Sequence, residues 1–195
     1  MHSILINQNK PENILRLAAQ RQLYKEAKRY LVIQIFITVP FTILLSFLKL
    51  IPAATLGFDI VSVAAFFGVG VTIIDYLIGQ FLVSNYRCKA AKIQEAFDCD
   101  VYEMDWDNIS VGSKVQPEIV IEFGKKYKEI KGSPLTDWYP IEISGLTKEK
   151  AIFICQKTNL YYDKSLRNKF IRATTIVSLL IFGLIVTTSL IGNPS

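Results

Sequence analysis

The stretch IVSVAAFFGVGVTIIDYLIGQFLV, Ile60–Val83, decides the fold, and it carries a single charged residue, Asp75. A helix needs about 20 apolar residues to cross the hydrocarbon core of a bilayer, and this stretch is long enough. In lipid a backbone must satisfy its own hydrogen bonds, so the segment is expected to be helical. Ala64, Gly68, Thr72, Asp75 and Gly79 recur three or four apart and share one helix face. Small residues on one face let a second helix approach closely. Two readings stand: a packing seam, or a pore-lining face bearing an intramembrane carboxylate.

Working outward, the apolar residues come in three blocks. Leu31–Ile51 precedes the central stretch and carries Gln34, Thr38, Thr42 and Ser46 as a polar stripe, with Pro40 expected to bend the helix. Ala173–Gly192 is a third block near the C-terminus. The short Pro52–Asp59 turn has no Lys or Arg, whereas Lys25, Lys28, Arg29, Arg87, Lys89 and Lys92 flank the open ends of the first two blocks. Lys164, Arg167, Lys169 and Arg172 precede the third. By the positive-inside rule these basic ends lie in the cytoplasm. The expected fold is mainly α. It is a multi-pass membrane protein with three transmembrane helices and a small α+β cytosolic domain between spans two and three.

The expected organisation is an amphipathic cytosolic helix over 1–29, a transmembrane hairpin over 30–85, a cytosolic domain over 86–172 and a third span over 173–195. Within the cytosolic domain, Val101–Trp106 reads as a short strand because Val101, Glu103 and Asp105 alternate with Tyr102, Met104 and Trp106. Pro117 opens a helix. Ile141–Ile143 reads as a second strand, and Thr147 caps a helix running to about Asn159. A last helix starts at Asp163 and continues into span three.

The 195 residues are 51% hydrophobic with a formal net charge of +5, and mean hydropathy is +0.31. In a membrane chain that charge reports topology and contact with anionic lipid before nucleic acid. Cys88, Cys99 and Cys155 form no CxxC pair, and His2 is the one histidine, which argues against a zinc site. The acidic run Asp98, Asp100, Glu103, Asp105 and Asp107 fits a solvated face better than a metal loop. No phosphate-cradling glycine loop, nucleophile elbow or HExxH is present. The chain is therefore read as no enzyme, with no cofactor and no metal.

A planar phosphorylated ligand would find its best groups in the segment from Asp137 to Arg172. Trp138, Tyr139, Tyr161 and Tyr162 offer stacking faces, Lys157 and Arg167 offer charge, and Gln156 and Asn159 offer hydrogen bonds. The competing reading puts the aromatics in a core and the charges at the membrane surface.

Four blocks carry a family likeness: LRLAAQRQLYKEAKR (Leu15–Arg29), AAKIQEAFDCDV (Ala90–Val101), VGSKVQPE (Val111–Glu118) and DWYPIEISGLTKEKAIFICQKTNLYYDKSLRNKF (Asp137–Phe170). In order and over nearly the whole chain, they resemble the SMODS-associated four-transmembrane effector family. The resemblance implies a pore-forming effector of CBASS-type bacterial antiphage systems. Such an effector senses a cyclic oligonucleotide and breaches the inner membrane, so that the infected cell dies. Its implied partners are the lipid bilayer, that ligand and further copies of itself, without a nucleic acid polymer. The family implies four spans where three are read here, so the chain reads as truncated or shortened. A membrane-anchored adaptor for a protein partner, and an ion or proton transporter using Asp75, are the alternatives.

Overall fold

The computed structural model describes residues 3–48, 60–127 and 134–191. The expected turn over 52–59 lies outside the described residues. The chain divides into two compact units, Ser3–Pro140 and Ile141–Ser195, the latter taken with the first two residues.

In the first unit, α1 (Ile4–Asn7) leads into α2 (Pro11–Leu48). Pro11 suits the first helical position because its missing N–H has no intrahelical partner there. Glu12 in the first turn complements the helix dipole. No breaker follows until Pro40, and α2 runs through it. One uninterrupted rod then spans α3 (Ile60–Leu77), a π-helical stretch (Ile78–Val83) and α4 (Ser84–Tyr102). Among the described residues one helix, Ser62–Tyr102, is long and apolar enough to cross a membrane. The spans expected over 31–51 and 173–192 lie on helices but partly outside the described residues.

The structure corrects the expected strands, since the described residues contain none. Val101 and Tyr102 are the buried last turn of α4, not the start of a strand. Glu103 then takes a left-handed conformation, φ 56°, and its N–H bonds Cys99 O to close the helix. The alternation that mimicked a strand is therefore a helix end followed by a turn. The run at Ile141–Gly145 is too short to pair and winds into a 3₁₀ turn. The α+β reading of the middle of the chain gives way to helices.

The acidic run is likewise dispersed over several tasks. Asp100 pairs with Arg16, and Glu103 accepts from Ser3 Oγ. Asp107 caps a turn by accepting from Ile109 N–H at 2.8 Å and Ser110 Oγ at 2.5 Å. The Ser110 hydroxyl, and then the turn's backbone N–H groups, hold the Asp107 carboxyl below its ordinary range. That turn delivers the chain to α5 (Pro117–Lys126).

The core of this unit lies between antiparallel α2 and α4. Ala19, Leu23, Ala90 and Ile93 are buried there, with Tyr86, Val115, Val120 and Phe123 packed against them. Gly124 sets how closely α5 lies on α2: a Cβ there would sit 2.4 Å from Leu15 Cδ1 and 3.1 Å from Leu15 O.

In the second unit the 3₁₀ turn leads into α6 (Lys148–Ile191). Ala151 N–H bonds Thr147 O at 2.9 Å, closing the first turn where the cap was expected. The break expected between Asn159 and Asp163 is absent. No glycine or proline lies there, and Arg167 reaches back one turn to Asp163 at 2.5 Å.

Candidate functional site

Three features of the Ser3–Pro140 unit combine polar chemistry with unusual placement. The first joins the two apolar helices. Gln34 of α2 donates through Nε2 to Asp75 Oδ1 at 2.7 Å and to the Asp75 carbonyl at 3.3 Å. The Gln34 amide also lies 3.6 Å from where a Cβ of Gly79 would stand. Gln34 Oε1 is buried there with no hydrogen-bond partner. The π-helical stretch starts three residues beyond Asp75, and Ser84 N–H bonds Gly79 O, five residues back. A π-turn is intrinsically poorer than an α-turn and recurs at functional places in helices.

The face expected on α3 can be followed residue by residue. Ala64 is buried, Gly68, Asp75 and Gly79 are half-buried, and Thr72 is exposed with its hydroxyl on Gly68 O of its own helix. Nothing lies within 4 Å of a Cβ built on Gly68. On this face Asp75 and Gly79 meet Gln34 of α2. A concavity of about 500 Å³ opens beside Gly68 and Thr72.

The second feature is a buried relay. Tyr102 OH donates to Tyr139 OH at 2.7 Å, and Tyr139 OH donates to Asp98 Oδ1 at 2.6 Å. Phe97 and Tyr102 lie against the Tyr139 ring, with centroids at 6.1 and 5.7 Å. The Gln8 side chain holds the Tyr139 backbone, accepting from its N–H at 2.7 Å. Burial pushes the Asp98 carboxyl up to about 6, against the lowering effect of the Tyr139 hydroxyl. Burial, and then the Asp98 charge, push the Tyr139 phenol well above its ordinary value.

The third feature is a cleft of about 500 Å³ between α2, α4 and the first turn of α5. Its walls are apolar, and Glu12, Arg16, Lys114 and Gln116 supply its polar groups.

The residues expected to bind a ligand fall into both units. Tyr139 is 1% exposed, so its ring faces belong to the core. Trp138 is half-buried, with the Arg21 guanidinium 5.0 Å from its ring centroid. Gln156, Lys157, Asn159, Tyr161 and Arg167 all stand on α6. Gln156, Lys157, Tyr161 and Arg167 are exposed, and Asn159 is half-buried. Arg167 is paired with Asp163.

Sequence reasoning missed the Gln34–Asp75 contact and the cleft. Gln34 was visible as one member of a polar stripe, but nothing in spacing matched it to Asp75. The cleft had a partial signal in Gln116-Pro117, which marks a helix start. Among the described residues no group of three or more His, Cys, Asp or Glu is placed to hold a metal.

Comparison with known proteins bears on these features. A family model described as the SMODS-associating 4TM effector domain matches residues 2–195. The chain is also 30% identical over 198 residues to a probable CBASS effector molecule of Bacillus cereus (strain VD146). The alignment covers 98% of this chain and 64% of that protein, so the chain spans just under two thirds of the curated relative's length. No solved structure matches the chain.

Proposed function

The chain belongs to the SMODS-associating 4TM effector domain family, and from that premise we propose that it is a pore-forming membrane effector of CBASS-type antiphage defence. In this reading the body formed by residues 3–30, 84–127 and 134–140 faces the bacterial cytosol and binds a cyclic oligonucleotide. The apolar parts of α2, α3 and α6 cross the inner membrane, and several copies together enclose the opening. Basic residues at the membrane edges of all three helices support that orientation. Opening the membrane then kills the infected cell.

One observation carries the reading. Both α2 and the Ile60–Tyr102 rod run without a break from the packed body into apolar sequence. They also meet through Gln34 and Asp75 beside the π-helical turn. Helices that are continuous across the boundary carry a displacement in the body into the membrane. A membrane-anchored adaptor would need only an anchor, and gains nothing from a polar side chain set against a glycine between two spans. A transporter using Asp75 would need that carboxylate free to exchange partners, whereas Gln34 holds both its carboxylate and its carbonyl.

Dye release from liposomes holding the purified chain tests the proposal. Release is expected only when a cyclic oligonucleotide is added. Equal leakage with and without a panel of cyclic di- and trinucleotides would reject gating.

A further inference from the structure

We propose that the cleft between α2, α4 and α5 is the nucleotide site. It would take a nucleobase on its apolar walls and a phosphate at its charged mouth. This rests on the reading of the chain as a nucleotide-gated effector, and it assigns the ligand to the Ser3–Pro140 unit in place of the aromatic and basic residues of α6.

The shape follows from how α5 is mounted. Gly124 lets the far end of α5 touch α2 at Leu15. Beside the first turn of α5 lies a gap of about 500 Å³. That volume lies within the usual range of about 300–1,000 Å³ for small-molecule sites, which are largely apolar with a few placed polar groups. Leu15 of α2, Ile93 and Ala96 of α4, and Val120 and Ile121 of α5 supply apolar surface on opposite sides. A flat ring fits between such walls.

Two cations, Arg16 and Lys114, one carboxylate, Glu12, and the Gln116 amide are among the groups that line the cleft. Lys114 is exposed, with its ammonium 5.5 Å from the Trp106 ring centroid. Arg16 lines the same space, held by Asn13 Oδ1 at 2.7 Å and by Asp100. Gln116 caps α5 without a side-chain hydrogen bond, so the positive end of that helix adds to the two cations. Glu12 lines the same space and Asp100 already pairs with Arg16, so Lys114 is the cation offered to a phosphate. The Gln116 amide can meet a base edge.

The site also acts on the right elements. Arg16 and Gln34 are on one continuous helix, about 27 Å apart along its axis. Ala96 and Asp75 are on the other, about 30 Å apart. A ligand seated against Leu15 and Ala96 therefore bears on both partners of the Gln34–Asp75 contact at once. The aromatic and basic residues of α6 have no such connection within their own unit.

Binding to the full chain in nanodiscs, with fluorescent cyclic di-AMP, cyclic di-GMP and cyclic tri-AMP as probes, tests the assignment. Ala96→Trp, which fills the cleft, and Lys114→Glu, which reverses its mouth, are each expected to weaken the best probe at least tenfold. Lys114→Gln, a mild change at an exposed position, is expected to weaken it severalfold while leaving the melting curve unchanged. The pair Lys157→Glu with Arg167→Glu on α6 is expected to leave binding intact. Loss through the α6 pair, with the cleft variants binding as wild type, overturns this site while leaving the gated-effector reading standing. A cleft that takes oleate and no cyclic nucleotide overturns the nucleobase assignment. Failure of every probe on the wild-type chain overturns both.

Discussion

The same two helices meet twice in this molecule, and the two meetings are built differently. On the body side α2 and α4 close around small apolar residues, and polar pairs stitch them: Gln20 donates to Gln94 at 2.8 Å, and Arg16 pairs with Asp100. Tyr30 stacks on Tyr86 at 5.6 Å where this zone ends. Beyond it, among the described residues, Gln34 bonds Asp75 and Phe41 lies edge-on to Phe67 at 6.2 Å. In water, apolar burial holds helices together at about 25 cal/mol per Å². In lipid that driving force is absent, and packing plus a few hydrogen bonds must serve. With the apolar part in lipid, as proposed, the body is the more strongly held part and the apolar helices exchange neighbours at lower cost.

That contrast ranks the expected effects of substitution. The largest is at Phe97, 1% exposed against Tyr139. Phe97→Ala should cost about 3–5 kcal/mol, the usual loss for a buried aromatic. Chemical denaturation of the detergent-solubilised chain, followed by far-UV circular dichroism, measures it. A loss no greater than that of an exposed α6 side chain such as Phe170 would mean the body is not the stable part.

The relay comes next. Tyr139→Phe keeps the ring and removes the hydroxyl that serves both Asp98 and Tyr102. The two groups left behind are buried or half-buried, which costs about 1–3 kcal/mol. An unchanged midpoint would show that water replaces the hydroxyl freely.

Asp98 adds a pH dependence with a definite sign. Its folded value of about 6 lies above the ordinary 3.8, chiefly because of burial. The folded chain therefore holds a proton that the unfolded chain has already released between about pH 4 and 6. This contribution is complete below about pH 4 and is lost as pH rises through 6. Glu95 beside it raises the value further. Relative to Asp98→Asn, the wild type should lose stability between pH 4 and 7, by at most about 3 kcal/mol. Parallel stability curves for the two proteins over that range would remove Asp98 from the account.

The sequence made the apolar rods legible because lipid imposes a length and a composition that few other settings demand. The starts of α5 and α6 were legible too, at Pro117 and Thr147, since each residue type suits one position at a helix end. The body was harder. Asn7, Gln8 and Asn13 are buried polar residues that composition assigns to the surface, and only their partners show why they are inside. The helix end at Glu103 carries no glycine, so its left-handed turn leaves no mark, and the alternating carboxylates after it imitate a strand. Tyr139 looked like a stacking face because an aromatic beside Trp138 gives no hint that its hydroxyl is already engaged. The cleft is made by three segments distant in sequence, and spacing along one segment cannot reveal it.

The smallest effect on stability is expected where the functional effect is clearest. Gln34→Leu removes the amide that holds Asp75 and removes the buried Oε1 that has no partner. Hydrogen bonds between membrane helices average about 0.6 kcal/mol, so the unfolding midpoint of the body should hardly move. Asp75 loses its Gln34 bonds to both carboxylate and carbonyl, at the edge of the π-helical stretch. If that contact restrains the apolar helices, liposomes carrying Gln34→Leu should release dye without any nucleotide. Gln34→Asn, which keeps an amide on a shorter stem, should fall between the two. Ligand-independent leakage alongside an unchanged melting curve separates a gate from a fold. A melting curve that falls as far as that of Phe97→Ala would instead make Gln34 one more structural residue, and the two meetings of α2 with its partner would no longer differ in kind.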